Sequence, residues 1–210
     1  MVGEKGFLCI LLVVLAVVAV RSAAAEDSGF YADVDLGQAK YPYSTAVDLH
    51  GVNLSSSRVP IKSTFWGATV GYRFTPYFGS EVGYINLSKS SVWVSDGSGT
   101  ARGEASFAAK GPTLALVGAV QVGNLEAFLR LGYLIARASL SVAGFDGATK
   151  LNAAVTVNSP APFGGVGFRF AVSESWHLKL EFDRYDRIGN PAVTGVANIN
   201  VTTLGVGWRF

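Results

Sequence analysis

Val206, Trp208 and Phe210 alternate with Gly207 and Arg209 near the last residue. In an extended strand the large apolar side chains therefore share one face, with Leu204, and the small or charged ones the other. The segment VGWRF has two close copies, VGYRF at residues 70–74 and VGFRF at residues 166–170, and a degraded one at residues 120–122, where Gln121 stands in the place of the arginine. Phe74, Val122 and Phe170 are each 48 residues apart and Phe210 follows 40 residues later, a spacing that predicts four successive hairpins. Partner strands lie between the copies. Phe30, Ala32, Val34 and Leu36 alternate with Tyr31, Asp33 and Asp35; Phe78, Ser80, Val82 and Tyr84 with Gly79, Glu81 and Gly83. Ala127, Leu129, Leu131 and Tyr133 alternate with Glu126, Phe128, Arg130 and Gly132, and Trp176, Leu178, Leu180 and Phe182 with His177, Lys179, Glu181 and Asp183. The pattern predicts eight strands of period two.

A soluble sandwich would turn the apolar faces into a core. Two features favour the opposite orientation. Tyr72, Phe74, Phe78, Phe168, Phe170, Trp176, Trp208 and Phe210 gather beside one set of turns, as aromatic rings do at a membrane interface. The links at 75–77, 123–124 and 171–175 are short, whereas those at 39–60, 88–102, 138–153 and 186–197 are long and polar, the asymmetry of an outer-membrane barrel. Strands of about ten residues, tilted near 45°, also cover the roughly 25 Å apolar band of such barrels. The fold expected is all-β: an eight-stranded antiparallel up-and-down transmembrane β-barrel. On this reading Phe210 anchors the last strand at the periplasmic rim.

Composition refines the picture. Residues 1–25 read as a cleaved signal peptide, with Lys5, an apolar run from Phe7 to Val20, and Ala23, Ala24 and Ala25 before Glu26. The barrel domain is then 26–210. That apolar run is 14 residues long, short of the roughly 18 a spanning helix needs. Cys9, the one cysteine, falls in the leader, so the remainder carries no disulfide, thiol chemistry or cysteine zinc site. The formal charge of +2 comes from 17 basic and 15 acidic residues without a basic run, which argues against nucleic acid. Nothing in the pattern calls for a cofactor or a metal; Asp96 and Asp146 stand singly beside glycines, as turn residues do. Asn53, Asn86 and Asn158 are read as the starts of loops or strand ends.

The segments GYRFTPYFGSEVGY (71–84), LEAFLRLGYLIARA (125–138) and LGVGWRF (204–210) resemble the OmpA-like eight-stranded outer-membrane barrels over about residues 30–210. The resemblance implies that Val206, Trp208 and Phe210, with Leu204 on the same face, form a signal read by the barrel-assembly machinery. It also implies outer-membrane lipid and lipopolysaccharide as surroundings, and no counterpart after Phe210 of the peptidoglycan-binding domain that some relatives carry. An eight-stranded lumen is just wide enough for side chains to fill, so a wide diffusion channel is excluded. Glu81, Arg130, Lys179 and Glu181 are expected to form a charge network at mid-height, and Arg73, Arg169 and Arg209 a basic ring at the periplasmic mouth. In the family an acid on the third strand pairs with a base on the seventh; Glu81 and Lys179 match those positions. The function expected is structural or surface-contact, in the bacterial outer membrane, with the lumen plugged by polar side chains and the surface ligand unspecified. Two alternatives stay open: a narrow ion-conducting pore and a lipid A-modifying enzyme. The second has weak support, since His50 beside Ser55 to Ser57, and His177, lack the spacing of a nucleophile and its base. In FDRYDRIGNP (182–191), Arg184, Asp186 and Arg187 are expected to anchor the outer interface.

Overall fold

The structure, a computed structural model, describes residues 28–41, 48–49, 52–53, 61–95, 101–146, 149–190 and 195–210. Ten strands follow in order: β1 (Gly29–Tyr41), β2 (Asp48–Leu49), β3 (Val52–Asn53), β4 (Ile61–Arg73), β5 (Phe78–Ser95), β6 (Ala101–Val122), β7 (Leu125–Asp146), β8 (Thr149–Ala171), β9 (Trp176–Asn190) and β10 (Gly195–Arg209). β2 and β3 form a small separate ladder in the first connection. The other eight close into an antiparallel barrel in chain order, sealed where β1 meets β10 with Tyr31 opposite Arg209 and Leu36 opposite Leu204. Closure pairs the strand edges that hydrocarbon would otherwise leave unsatisfied.

Side-chain chemistry makes the tight turns. Gly123 takes a φ of 60°, the first central position of the two-residue β6–β7 hairpin, where glycine costs nothing. The Thr75 hydroxyl accepts the amides of Tyr77 and Phe78 at 3.2 and 3.0 Å, and the Ser173 hydroxyl accepts that of Trp176 at 3.0 Å. Three short connections thus lie at one end of the barrel, as the sequence pattern implies.

Orientation is equally plain. Leu36, Leu116, Leu131, Leu204 and Phe210 are exposed, at 64%, 70%, 56%, 69% and 81%, whereas Asp33, Glu81, Arg130, Arg169 and Lys179 are at most 3% exposed. The oily face looks out and the ionic face looks in. Phe30, Tyr72, Phe74, Phe78, Phe170, Trp176, Trp208 and Phe210 sit at the short-turn end, with Phe30 on Tyr72 at 4.7 Å and Trp176 edge-on to Trp208 at 4.6 Å. A second group, Trp66, Tyr84, Tyr133 and Phe182, marks the other side of the apolar band.

Two expectations need correction. The spans 88–102, 138–153 and 186–197 are largely strand, since β5 runs to Ser95, β6 starts at Ala101, β7 and β8 pair up to Asp146 opposite Thr149, and β9 and β10 pair up to Asn190 opposite Gly195. Asn86 and Asn158 accordingly lie inside strands, and Asp146 closes β7. The alternation changes phase there. Beyond the apolar band the inward positions become apolar (Tyr41, Phe65, Leu87, Phe107, Leu134, Ala136, Phe163, Tyr185, Ile188 and Ile199) while Lys40, Lys62, Lys110, Arg137 and Arg184 point out. A search for oily outer faces stops at that level, although the strands continue. The physical reason is the solvent: outside the hydrocarbon the outer wall meets water, and the interior becomes the dry side.

β5 to β8 rise beyond the closed barrel. β4 pairs with β5 only as far as Phe65 opposite Leu87, and β9 with β8 only as far as Tyr185 opposite Phe163. Pro160 and Pro162 occupy β8 where β9 no longer pairs with it, the edge position at which a missing N–H is tolerated. β9 carries a bulge opposite Asn198, with Arg187 at a φ of 58° and its amide held by the Asn198 side chain at 2.9 Å.

Candidate functional site: the occluded lumen

Inward parity along β1, β5, β7, β8 and β9 delivers the charges to one place. Arg169 lies on β8 directly between Glu126 of β7 and Lys179 of β9. Its guanidinium contacts Glu81 and Glu126, both at 2.8 Å, and Asp33 at 3.4 Å. It also stacks over the rings of Phe128 and Tyr31, at 4.3 and 4.7 Å from their centres, a packing that suits a planar, weakly hydrated cation. Arg130 bridges Glu181 at 2.5 Å, Glu81 at 3.2 Å and Asp183 at 3.7 Å. Lys179 Nζ reaches Asp35 at 2.8 Å, Glu181 at 3.1 Å and Asp33 at 3.3 Å. The Tyr31 hydroxyl donates to Glu81 at 2.6 Å, and His177 Nε2 lies 2.7 Å from Asp33.

The result is one connected set of ion pairs, buried almost throughout. Glu81, Arg130, Lys179 and Glu181 belong to it, joined by Asp33, Asp35, Glu126, Asp183 and Arg169. The direct pair between Glu81 and Lys179 is not made: Lys179 goes to Asp33, Asp35 and Glu181, while Arg130 and Arg169 hold Glu81. Guanidinium groups from β7 and β8 cross the lumen to the carboxylate and offer more donors than an ammonium.

The basic ring is also corrected. Arg73 and Arg209 do lie at the short-turn mouth, but both close onto Glu126, Arg209 at 3.1 Å. Arg169, 1% exposed, leaves the ring because three interior carboxylates draw it inward. Glu126 thus ties both mouth cations to the wall but offsets only part of their charge, and the Arg209 side chain stays 26% exposed.

The motif glycines make room for these groups. A Cβ on Gly71 would strike the Tyr31 ring, and one on Gly167 the Phe128 ring and the Leu180 carbonyl. The glycine of VGYRF and of VGFRF is therefore where a neighbouring strand's aromatic lies flat across the backbone, beneath the Arg169 guanidinium.

Above the ionic layer stands an apolar one, which the sequence reading of a wholly polar plug missed. Phe163 stacks on Tyr185 at 5.0 Å, and Tyr41 meets Phe107 edge-on at 6.1 Å. Leu87, Leu134, Ala136, Ala138, Ala161, Ile188 and Ile199 fill the rest with essentially no exposure. Arg130, 5.1 Å from the Phe163 ring centre, marks the boundary between the two layers. The signal was present in the inward parity of Phe65, Leu87, Leu134 and Phe163.

His177 is a lumen residue tied to Asp33. His50, Ser55 to Ser57, Asp96 and the leader 1–25 lie outside the described residues. Among the described residues no group of three histidine, cysteine or acidic side chains is arranged to hold a metal.

The model of one family, described as the outer membrane protein beta-barrel domain, matches residues 10–210. The chain belongs to that family. Outer membrane protein A of Serratia marcescens is 27% identical over 91% of this chain, and that of Klebsiella pneumoniae 28% identical over 91%. The chain spans about half the length of these relatives, 52% and 54%. Among solved structures, Neisserial surface protein A superposes with a TM-score of 0.53 at 16% identity, covering 88% of this chain and all of that one. OprG from Pseudomonas aeruginosa gives 0.51 at 17% identity, with 87% and 96% covered; both likenesses concern the fold. As an outer-membrane barrel of this family, the chain is a bacterial envelope protein.

Proposed function

We propose that this chain is a sealed structural barrel that carries a projecting sheet at the cell surface, without catalysis and without a conducting lumen. The observation that supports it is double occlusion: the ionic layer from Glu126 to Asp183 and the apolar layer from Phe163 to Ile188 fill the interior in series. Charges held by partners on several strands act as an interior scaffold in place of a hydrophobic core. The leader 1–25 directs export and is removed. Leu204, Val206, Trp208 and Phe210 serve as the assembly signal, and all four lie on the outer face of the last strand, within another protein's reach.

The test is electrical. Purified protein in planar bilayers is expected to be silent. Discrete conductance altered by Lys179→Ala or Glu81→Ala would replace this reading with the narrow pore. Lipid A mass is expected to be unchanged on expression; a change lost in His50→Ala or His177→Ala would install the enzyme.

Surface contact has its own support in the rise of β5 to β8. Along β8, Asn152, Ala153, Ala154, Val155 and Thr156 are all exposed, so both faces of that strand meet solvent. Replacing residues 149–158 is expected to alter partner binding and leave the barrel folded.

A further inference from the structure

The level at which the alternation changes phase carries a charge pattern that neither the lumen nor the surface-contact reading uses. Its outward positions form two runs of four strands in register, offset from each other where Trp66 of β4 is opposite Asn86 and where Gly164 of β8 is opposite Arg184. Arg184 is opposite Asn200, Asn200 opposite Lys40, and Lys40 opposite Lys62. Farther round, Asn86 is opposite Lys110, Lys110 opposite Arg137, and Arg137 opposite Asn158. Every one of these positions is a cation or an asparagine, and all five cations are exposed.

Two of the pairs place like charges directly across a ladder: Lys40 with Lys62, and Lys110 with Arg137. Such pairs destabilise a sheet. Among the described residues none of these four has a carboxylate partner; Arg184 alone has one, Asp186 at 2.8 Å. The interior, by contrast, satisfies its cations with three acids each for Arg130, Arg169 and Lys179. The outer wall has unmatched positive charge where the barrel leaves the hydrocarbon. One residue pair below it, Gln38 faces Thr64, and below that Leu36 faces Trp66.

Resting on the outer-membrane orientation above, we propose that Lys40, Lys62, Lys110, Arg137 and Arg184 form a girdle that binds the phosphate groups of outer-leaflet lipid. The asparagines between them supply amide donors to the same oxygens. Cations at the headgroup level attract anionic lipid, and phosphates seated between the paired cations would relieve their repulsion. Lipid bound there would pack its chains on Leu36, Trp66, Leu114, Ile135 and Phe182 directly below.

The experiment uses the full barrel in nanodiscs, with three probes: bis-phosphorylated lipid A, the same lipid without phosphates, and inorganic pyrophosphate. Retention of each is read by native mass spectrometry. Bis-phosphorylated lipid A is expected to be retained well above its phosphate-free form, and Lys110→Gln with Arg137→Gln to weaken retention about fivefold per cation removed. Lys62→Glu is the decisive variant. It converts the Lys40 pair to opposite charges, so the barrel in detergent should become more resistant to urea while lipid retention falls. A purely structural role would move both in the same direction. Equal retention of the two lipids would overturn the proposal, as would pyrophosphate binding undiminished in lipid-free detergent, which would assign the girdle to soluble phosphate esters. Heat modifiability on gels, measured on every variant, reports separately whether the barrel has formed.

Discussion

Removing Arg169 is the sharpest probe of the sealed lumen. Arg169→Met keeps the aliphatic length and its contact with Phe128 but takes the cation away from Asp33, Glu81 and Glu126. Breaking a buried ion pair from one side costs about 3–5 kcal/mol, because the partner stays buried without compensation. Each carboxylate here keeps another cation: Glu126 has Arg73 and Arg209, Glu81 has Arg130, and Asp33 has Lys179. The loss should therefore sit at the lower end of that range, about 3 kcal/mol. With a urea slope of about 1–3 kcal/mol per molar, the unfolding midpoint in phospholipid vesicles falls by about 1–3 M. Tryptophan emission reports the transition, since Trp66, Trp176 and Trp208 are on the outer face. A loss under about 1 kcal/mol, the value of a solvated surface pair, would refute the reasoning. The lumen would then be hydrated enough to replace Arg169 with water.

Gly167→Val should cost about 1–3 kcal/mol, from overpacking against the Phe128 ring and the Leu180 carbonyl; Gly118→Ala, whose added carbon meets only the Tyr77 carbonyl at 4.0 Å, should leave the midpoint almost unchanged. Phe163→Ala should lower stability by about 3–5 kcal/mol and still give no conductance in bilayers, because the ionic layer remains; a current would show that the apolar layer alone seals the barrel. Phe210→Ala with Trp208→Ala should slow assembly in the presence of the assembly machinery while leaving spontaneous folding into detergent intact, and equal slowing in both would reduce the two rings to interface anchors.

The barrel was legible because lipid imposes a strict rule: in the membrane every second residue must be oily, and Leu204, Val206, Trp208 and Phe210 obey it. The rule also exposed the inward parity of Glu81, Arg130 and Lys179. It could not give heights. Which inward charges meet depends on stagger between strands, and on long side chains crossing the lumen between residues as far apart in sequence as Asp35 and Lys179. That is why alternation alone puts Arg169 at the mouth; the match of Glu81 to Lys179 rests on the family resemblance instead, and in this lumen Arg130 and Arg169 take Glu81. The projecting sheet was hidden for a different reason. Outside the bilayer the oily positions move to the inner face, so Phe107, Leu134 and Phe163 read as interruptions of a pattern they in fact continue with the opposite phase.

That change of phase, on which both the sealed lumen and the cationic girdle depend, is tested most directly along β7. Spin labels at single cysteines replacing Leu129, Leu131, Tyr133, Ile135, Arg137 and, inside, Leu134 and Ala136 can be scanned in vesicles for collisions with oxygen and with a water-soluble nickel chelate. Leu131, Tyr133 and Ile135 should collide with oxygen, Arg137 should switch to nickel, and Leu134 and Ala136 should meet neither. Nickel reaching Leu131, or a shielded Leu131 beside an oxygen-exposed Leu134, would contradict the orientation outright.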